Sequence, residues 1–439
     1  MSLIVDGAWL DAARLVRRTG FGATGPEVDA VAAAGRPGYL AAALAADPAA
    51  DAGLVGLKTP DVTFVGGAGQ QGDAALKKAR RQDAKAQLVE LTGWWLRRMA
   101  LAEAPLTEKV TFLWHNHFAT AASKVRSAAL MLGQNQTFRQ QGRGNFRTLA
   151  LAMLIDPAML YWLDGQKNVA GAPNENLSRE FLELFTLGHG NGYSEQDVKD
   201  GARALTGWTI NRAGQAQQVP ARHDDAVKTV LGVTGDLDET GYCDAVLAQP
   251  ATAEHVVARM YAQLGSDDPM PAANLTALAA RFHSTWDISE LLTGILLSDD
   301  FVAARGHMVI GPVEWLIGAV RALQIPLDDD ATVKRLAVVL QGLGQVPFYP
   351  PSVGGWPSGQ AWLSTAAADA RFATAAALVK KANLDNVIGT APSGRVDAVG
   401  YQLGVGAWSD RSRATLQDLV GNPGRLVAVA LNTAEYLTQ

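Results

Sequence analysis

The sequence predicts a mainly α protein: a large multi-helix globular domain with long Gly/Pro-rich loops and at most a small β-hairpin. Three features of the chain point to it. Apolar residues recur at helical spacing over most of its length, as at Leu88, Leu91, Trp95 and Met99. Strand signals are few and short, and the alternating strand–helix spacing of a doubly wound sheet is absent. The 439 residues are 48% hydrophobic and 18% charged, a balance that supports a full core.

Taken in order, helices are expected over 9–18 and 26–34, followed by a Gly-rich loop at 51–73. The Leu88 stripe comes next, then a helix from Thr107, a plausible N-cap, to about Phe118. Helical stretches follow over 125–139 and 145–154, and the segment NENLSREFLELFTLG, Asn174 to Gly188, reads as one helix. Ser194 and Asp197 open another in capping-box style, with Val198, Ala202, Leu205 and Trp208 on its apolar side. Residues 211–242 are polar and turn-rich, with strand signals at Thr229–Val233 and Gln217–Pro220. Helices are then expected over 252–264, 274–284, 312–324, 330–342 and 364–382, interrupted by a Pro- and Gly-punctuated loop at 344–364. A loose boundary near 240–250 divides a motif-bearing part, 1–245, from a C-terminal helical part, 246–439, the two expected to pack as one unit.

Bulk properties narrow the function. The net charge of −5 argues against a general nucleic-acid binder. The one basic run, KKARRQDAK from Lys77 to Lys85, lacks interleaved aromatics and reads as a solvated helix face. A single cysteine, Cys243, excludes an internal disulfide framework and a CxxC metal site. The first residues lack the plan of a signal peptide, and no apolar run reaches the roughly 18 residues of a membrane span. The expectation is a cytoplasmic protein without nucleic-acid or membrane partners, or an exported one if a leader has been removed. P-loop, GxSxG, HExxH and GxGxxG contexts are all missing.

Four motifs carry candidate chemistry. At about 100° per residue, Glu180 and Glu183 lie one turn apart on one side of the Asn174–Gly188 helix, with Arg179 between them in sequence. Such carboxylates need partners, which are Arg, backbone N–H groups or a metal ion. In LTEKVTFLWHNHFAT, His117 falls on the inward stripe with Val110, Leu113 and Trp114. His115 falls roughly 160° away beside Glu108 and Phe112, so the two imidazoles share an ion only if the helix breaks there. In the third motif, RHDDAVKTVLG, His223 and Asp224 are candidate ligand or base with orienter, and Lys228 a candidate anion contact; a turn capped by Asp225 is the structural alternative. In the 344–364 loop, Trp356 is a candidate for stacking on a sugar ring or for packing on the helices.

Several of these segments together resemble the bacterial family catalogued as domain of unknown function 1800. RRTGFGAT at Arg17, PLTEKVTFLWHNHFAT at Pro105, NENLSREFLELFTLG at Asn174, GYSEQDVKDGARALTGW at Gly192, HDDAVKTVLG at His223 and PPSVGGWPSGQAWL at Pro350 run in the family's order. The resemblance implies a large, mostly helical domain and no particular activity. The chain departs from the family's usual form at Arg14, where the family often has His before LLRR.

Two functions are expected from these residues. The first is a metal-dependent enzyme, most plausibly a hydrolase acting on a small-molecule or carbohydrate substrate. Its divalent ion, Zn, Mn or Fe, would be held by His115, His117, Glu183 and His223. Glu180, Glu183, Asp224 and Arg179 would be catalytic, and Lys228 and Trp356 would contact substrate. The second is a non-catalytic helical scaffold, or a carbohydrate- or partner-binding protein, whose Glu–Arg–His cluster is a structural polar network.

Overall fold

The computed structural model describes residues 6–64 and 74–438. Among these the chain is mainly α, with 24 α-helices and two small antiparallel two-stranded sheets. Part of the expected 51–73 loop, residues 65–73, lies outside the described residues. The first sheet pairs β1 (Trp208–Ile210) with β2 (Ala216–Gln218). The second pairs β3 (Lys228–Val230) with β4 (Val233–Gly235). The expected strand Thr229–Val233 is therefore a hairpin. Leu231 and Gly232 both take positive φ, the geometry of a two-residue turn that follows the twist of its strands.

The helix Leu106–His117 occupies the centre of the molecule and is buried at every position except Asn116. Its neighbours include the long helix Ala74–Leu101, the helix Ala128–Gln141 and the helix Pro250–Leu264. On a regular helix His115 and Glu108 fall on the side away from His117. Both are buried, at 1% exposure each: Glu108 among Trp95, Arg98 and Arg139 of two neighbouring helices, and His115 under the chain from 344 to 358. That chain lays Trp356 on Phe112, with ring centroids 5.5 Å apart, and packs Phe348 against Trp95 and His115. Burying each such ring removes roughly 150–250 Å² from water, about 4–6 kcal/mol of transfer free energy before ordering costs.

Two hydrophobic clusters form the interior, and neither follows chain order. One runs from Trp9 to Phe301 and draws on residues on both sides of position 245. The other joins Phe21 and residues of the 88–132 stretch to residues 310–436. The first helix, Gly7–Thr19, shows how charge is handled between them. Arg14, Arg17 and Arg18 on it are buried. Arg14 donates to the Gly265 carbonyl at 2.6 Å and stacks over Phe301. Arg17 donates to the Leu403 and Gly404 carbonyls. No helix among the described residues is long and apolar enough to cross a membrane.

Candidate functional site

The Asn174–Gly188 segment is not one regular helix. It is α-helical over Asn176–Glu180 and then widens into a π-helix over Phe181–Phe185. Thr186 Oγ1 bonds the Phe181 carbonyl, five residues back, in place of the next helical turn. Gly188, at φ +86°, ends the run by donating to the Leu182 carbonyl at 3.1 Å, a six-residue closure. A π turn leaves its last carbonyls without intrahelical donors, and π turns recur at functional positions. Here two histidines supply the donors. His117 Nε2 lies 2.9 Å from the Phe185 carbonyl, and His255 Nε2 lies 3.0 Å from the Leu184 carbonyl. A carbonyl can only accept, so both rings are assigned as the Nε2–H tautomer.

This arrangement fixes the chemistry of His117. Its ring is buried, and burial, followed by the charges of Arg259 and His255, lowers its pKa well below the ordinary imidazole value. It is neutral at pH 7, and its buried Nδ1 has no partner among the described residues. His115 is on the other side of the helix. Its Nε2 accepts the Phe348 N–H at 3.0 Å, and burial pushes its pKa down to about 3. The two imidazoles of the HxH pair thus serve two different backbone groups.

The acidic residues are held separately. Arg179 binds Glu195 at 2.8 Å, Glu175 at 3.0 Å and Glu183 at 3.4 Å. The other Glu183 oxygen lies 3.3 Å from His189 Nδ1. Glu180 is half-buried and makes no hydrogen bond or ion pair with the described residues. Burial, then the neighbouring Glu183 charge, raises its pKa. In the RHDD loop, His223 Nδ1 donates to the Thr206 carbonyl at 2.9 Å. Asp224 accepts from Arg203 Nε at 2.7 Å, which holds its carboxyl below the usual range, and also from the Ala226 N–H. The turn expected to be capped by Asp225 is thus capped by Asp224. Lys228 is fully buried along its side chain, and its Nζ meets Asp236 at 2.8 Å.

Trp356 sits in the core rather than at a loop tip, at 5% exposure. Its backbone N–H donates to Asn116 Oδ1 at 2.8 Å. The preceding Gly355 has φ +87°, and any Cβ there would collide with Asn116, so the GGW turn must carry glycine at that position. Among the described residues no three His, Cys, Asp or Glu side chains converge as a metal ion would require. The four expected ligands His115, His117, Glu183 and His223 are bound instead to a backbone N–H, a backbone carbonyl, Arg179 with His189, and a backbone carbonyl.

A densely bonded polar centre lies where local spacing carries no signal. Glu108 is buried on the central helix and accepts from Trp95 Nε1 at 3.0 Å, Arg98 Nε at 2.7 Å, and Arg139 Nε and Nη2 at 2.8 Å each. Burial pushes its carboxyl up, yet the combined hydrogen bonds and charges of Arg139 and Arg98 outweigh this and leave it lowered. Three helices, 74–101, 106–117 and 128–141, are locked by this one carboxylate. Lys109, also fully buried, pairs with Glu314. Nothing in local spacing distinguishes Glu108 from a helix-start acid near the surface, because its partners come from other helices. Asn116 and His255 escape notice for the same reason.

A mainly α chain with this arrangement of motifs defines a class by fold rather than by chemistry. The chain belongs to the family described as "Protein of unknown function (DUF1800)", whose model matches residues 14–438. No curated protein and no solved structure matches it.

Proposed function

We propose that this protein is a non-catalytic helical binding protein in which the Glu–Arg–His residues of its motifs form a structural polar network. One observation carries this. His115, His117, His223 and Asp224 each bond a separate partner, Glu183 pairs with Arg179, and His117 and His255 act as donors to the end of a π-helix. Polar groups so engaged fix helix register and satisfy backbone atoms that burial would otherwise leave unpaired.

Glu180 favours acid–base chemistry as the second reading. It is a half-buried carboxyl whose pKa is raised by burial and then by the neighbouring Glu183 carboxylate, a kind of perturbation that recurs among catalytic acids and bases. Elemental analysis of the purified protein, combined with thermal unfolding of Glu180→Gln and His117→Ala, tests the choice. The binding-protein reading expects no stoichiometric metal, little change for Glu180→Gln and a clear loss of stability for His117→Ala. Near-stoichiometric zinc, manganese or iron, lost in Glu183→Ala without unfolding, would return the metal-dependent hydrolase.

A further inference from the structure

The basic run Lys77–Lys85 forms one wall of a cleft. We infer that this cleft, about 960 Å³ in volume and lined by Lys77, Arg80, Arg81, Lys85 and Arg126, is a binding site for a small ligand carrying two or more oxyanion groups of the phosphate or sulfate type.

The helix geometry gathers the charge. On the Ala74–Leu101 helix, Lys77, Arg81 and Lys85 follow one another at spacings of four, with Arg80 beside them. Asp83 lies about 120° round the helix from Lys77, where it accepts from the Gln87 amide at 2.8 Å, and Glu90 falls further round. The opposite wall is built from the turn at Val125–Ala128, with Tyr161 and Gln166. Arg126 sits there at φ +53°, capping a short helix, and its side chain is exposed. Cations from two remote stretches thus face one concavity, and among the described residues no Asp or Glu lines it. This occurs in a chain whose acids outnumber its bases, 43 to 38.

Some surface cations are paired, as in Arg97–Asp330, Arg147–Asp244 and Arg413–Asp397, while others, such as Lys380 and Arg411, make no ion pair among the described residues; those of the cleft differ in converging on one concavity. Among the described residues Lys77, Arg81 and Lys85 make no ion pair. Like charges at a spacing of four destabilise a helix. Low-dielectric walls focus the field of such a cluster and raise the local concentration of anions. An anion in the cleft relieves the repulsion and receives the paired N–H donors that guanidinium groups offer to oxyanions.

The cleft also has the fittings for a ligand body. Its volume lies at the upper end of the roughly 300–1,000 Å³ typical of small-molecule sites. Tyr161, 38% exposed, and Phe64 supply aromatic surface, while Thr63, Gln87, Ser127 and Thr209 supply hydroxyl and amide groups. A smaller hollow of about 360 Å³ shares Arg126, Tyr161 and Gln166 with it and adds Lys124 and Lys167. Its one acid, Asp164, is already bound by both lysines, at 2.8 and 2.7 Å.

The site adds a ligand class to the binding-protein reading, but it stands whether or not the polar network is structural. Metal analysis tests the one and anion titration the other. The titration uses the full chain, at low salt and with chelator present, against inorganic tripolyphosphate, a nucleoside triphosphate, a sulfated disaccharide and a short single-stranded oligonucleotide. At least one of the three small anions is expected to bind with Kd below about 1 mM, weakening as salt rises. Which one binds best identifies the source of the oxyanion. The double change Arg81→Glu with Lys85→Glu should weaken binding at least about tenfold, and Arg126→Ala should weaken it in the same direction. The equal-charge control Lys380→Glu with Arg411→Glu, at exposed positions outside the cleft, should change it by less than about twofold. Failure of all three small anions to bind overturns the proposal. So does equal weakening by the cleft and control changes, or a clear preference for the oligonucleotide.

Discussion

The Glu108 centre and the cleft beside Lys77–Lys85 share a helix, Ala74–Leu101, and handle charge in opposite ways. Toward its C-terminal end that helix brings Arg98 and Trp95 to a buried carboxylate, and every charge has a partner of opposite sign. Toward its N-terminal end Lys77, Arg81 and Lys85 line an open cleft and make no ion pair among the described residues. The first arrangement holds helices in place, because removing any member leaves a desolvated charge. In the second, Lys77, Arg81 and Lys85 hold no neighbouring helix through an ion pair among the described residues. That arrangement makes physical sense as a place kept ready for something negative.

The largest effect expected is at the paired end. Glu108→Ala leaves Arg98 and Arg139, 12% and 9% exposed, facing each other without a counter-charge, and should cost about 3–5 kcal/mol in urea unfolding. A loss below about 1 kcal/mol would mean that the centre is not what locks these helices. Next, His117→Ala strips the Phe185 carbonyl of its donor and opens a void, an expected cost of about 2–3 kcal/mol.

The histidines also set a pH dependence. The folded His115 pKa of about 3 lies below its ordinary value of 6.5, so the stability it protects is complete above about pH 6.5. As pH falls from there toward 3, only the unfolded chain takes up the proton, and stability drops by about 1.4 kcal/mol per pH unit from this group. His117 acts in the same direction. Glu108, lowered when folded, adds its own loss as pH falls below the ordinary Glu value of 4.5. A flat unfolding profile between neutral pH and about pH 5 would contradict the burial of both imidazoles.

Two smaller effects sharpen the contrast. Arg179→Ala should cost less than about 1 kcal/mol, since Arg179 is about one-third exposed and Glu195 largely solvated. Arg81→Glu with Lys85→Glu should leave stability within about 0.5 kcal/mol of the parent while abolishing most anion binding. A strong destabilisation there would erase the difference between the two ends of the helix.

Much of the fold could be read from the chain. Helical periodicity located the Leu88 stripe, the helix ending near Phe118, which starts at Leu106 with Pro105 rather than Thr107 at its N-cap, and the Ser194–Asp197 capping box, which closes with Ser194 N–H to Asp197 Oδ2 at 2.8 Å. Such features depend on residues within one or two turns of each other. The family was legible from motif order. Less could be read where a second segment intervenes. The Asn174–Gly188 helix widens at Phe181 because Thr186 and two remote histidines accept the cost of its broken ladder. His115 is buried because Phe348 and Trp356 of the 344–358 chain pack on it, and Glu108 because two other helices bring Trp95, Arg98 and Arg139 to it. The basic run looks like any solvated helix face until Arg126 and Tyr161 are set opposite to it.

The sequence by itself determined the helical class, the family and which side chains were unusual enough to matter, since periodicity, capping and motif order are properties of neighbours along the chain. Only the tertiary structure decided what those side chains do. A carboxylate, an imidazole or a guanidinium takes its role from the groups within about 3 Å of it, and here those groups come from segments as far apart as His115 and Phe348.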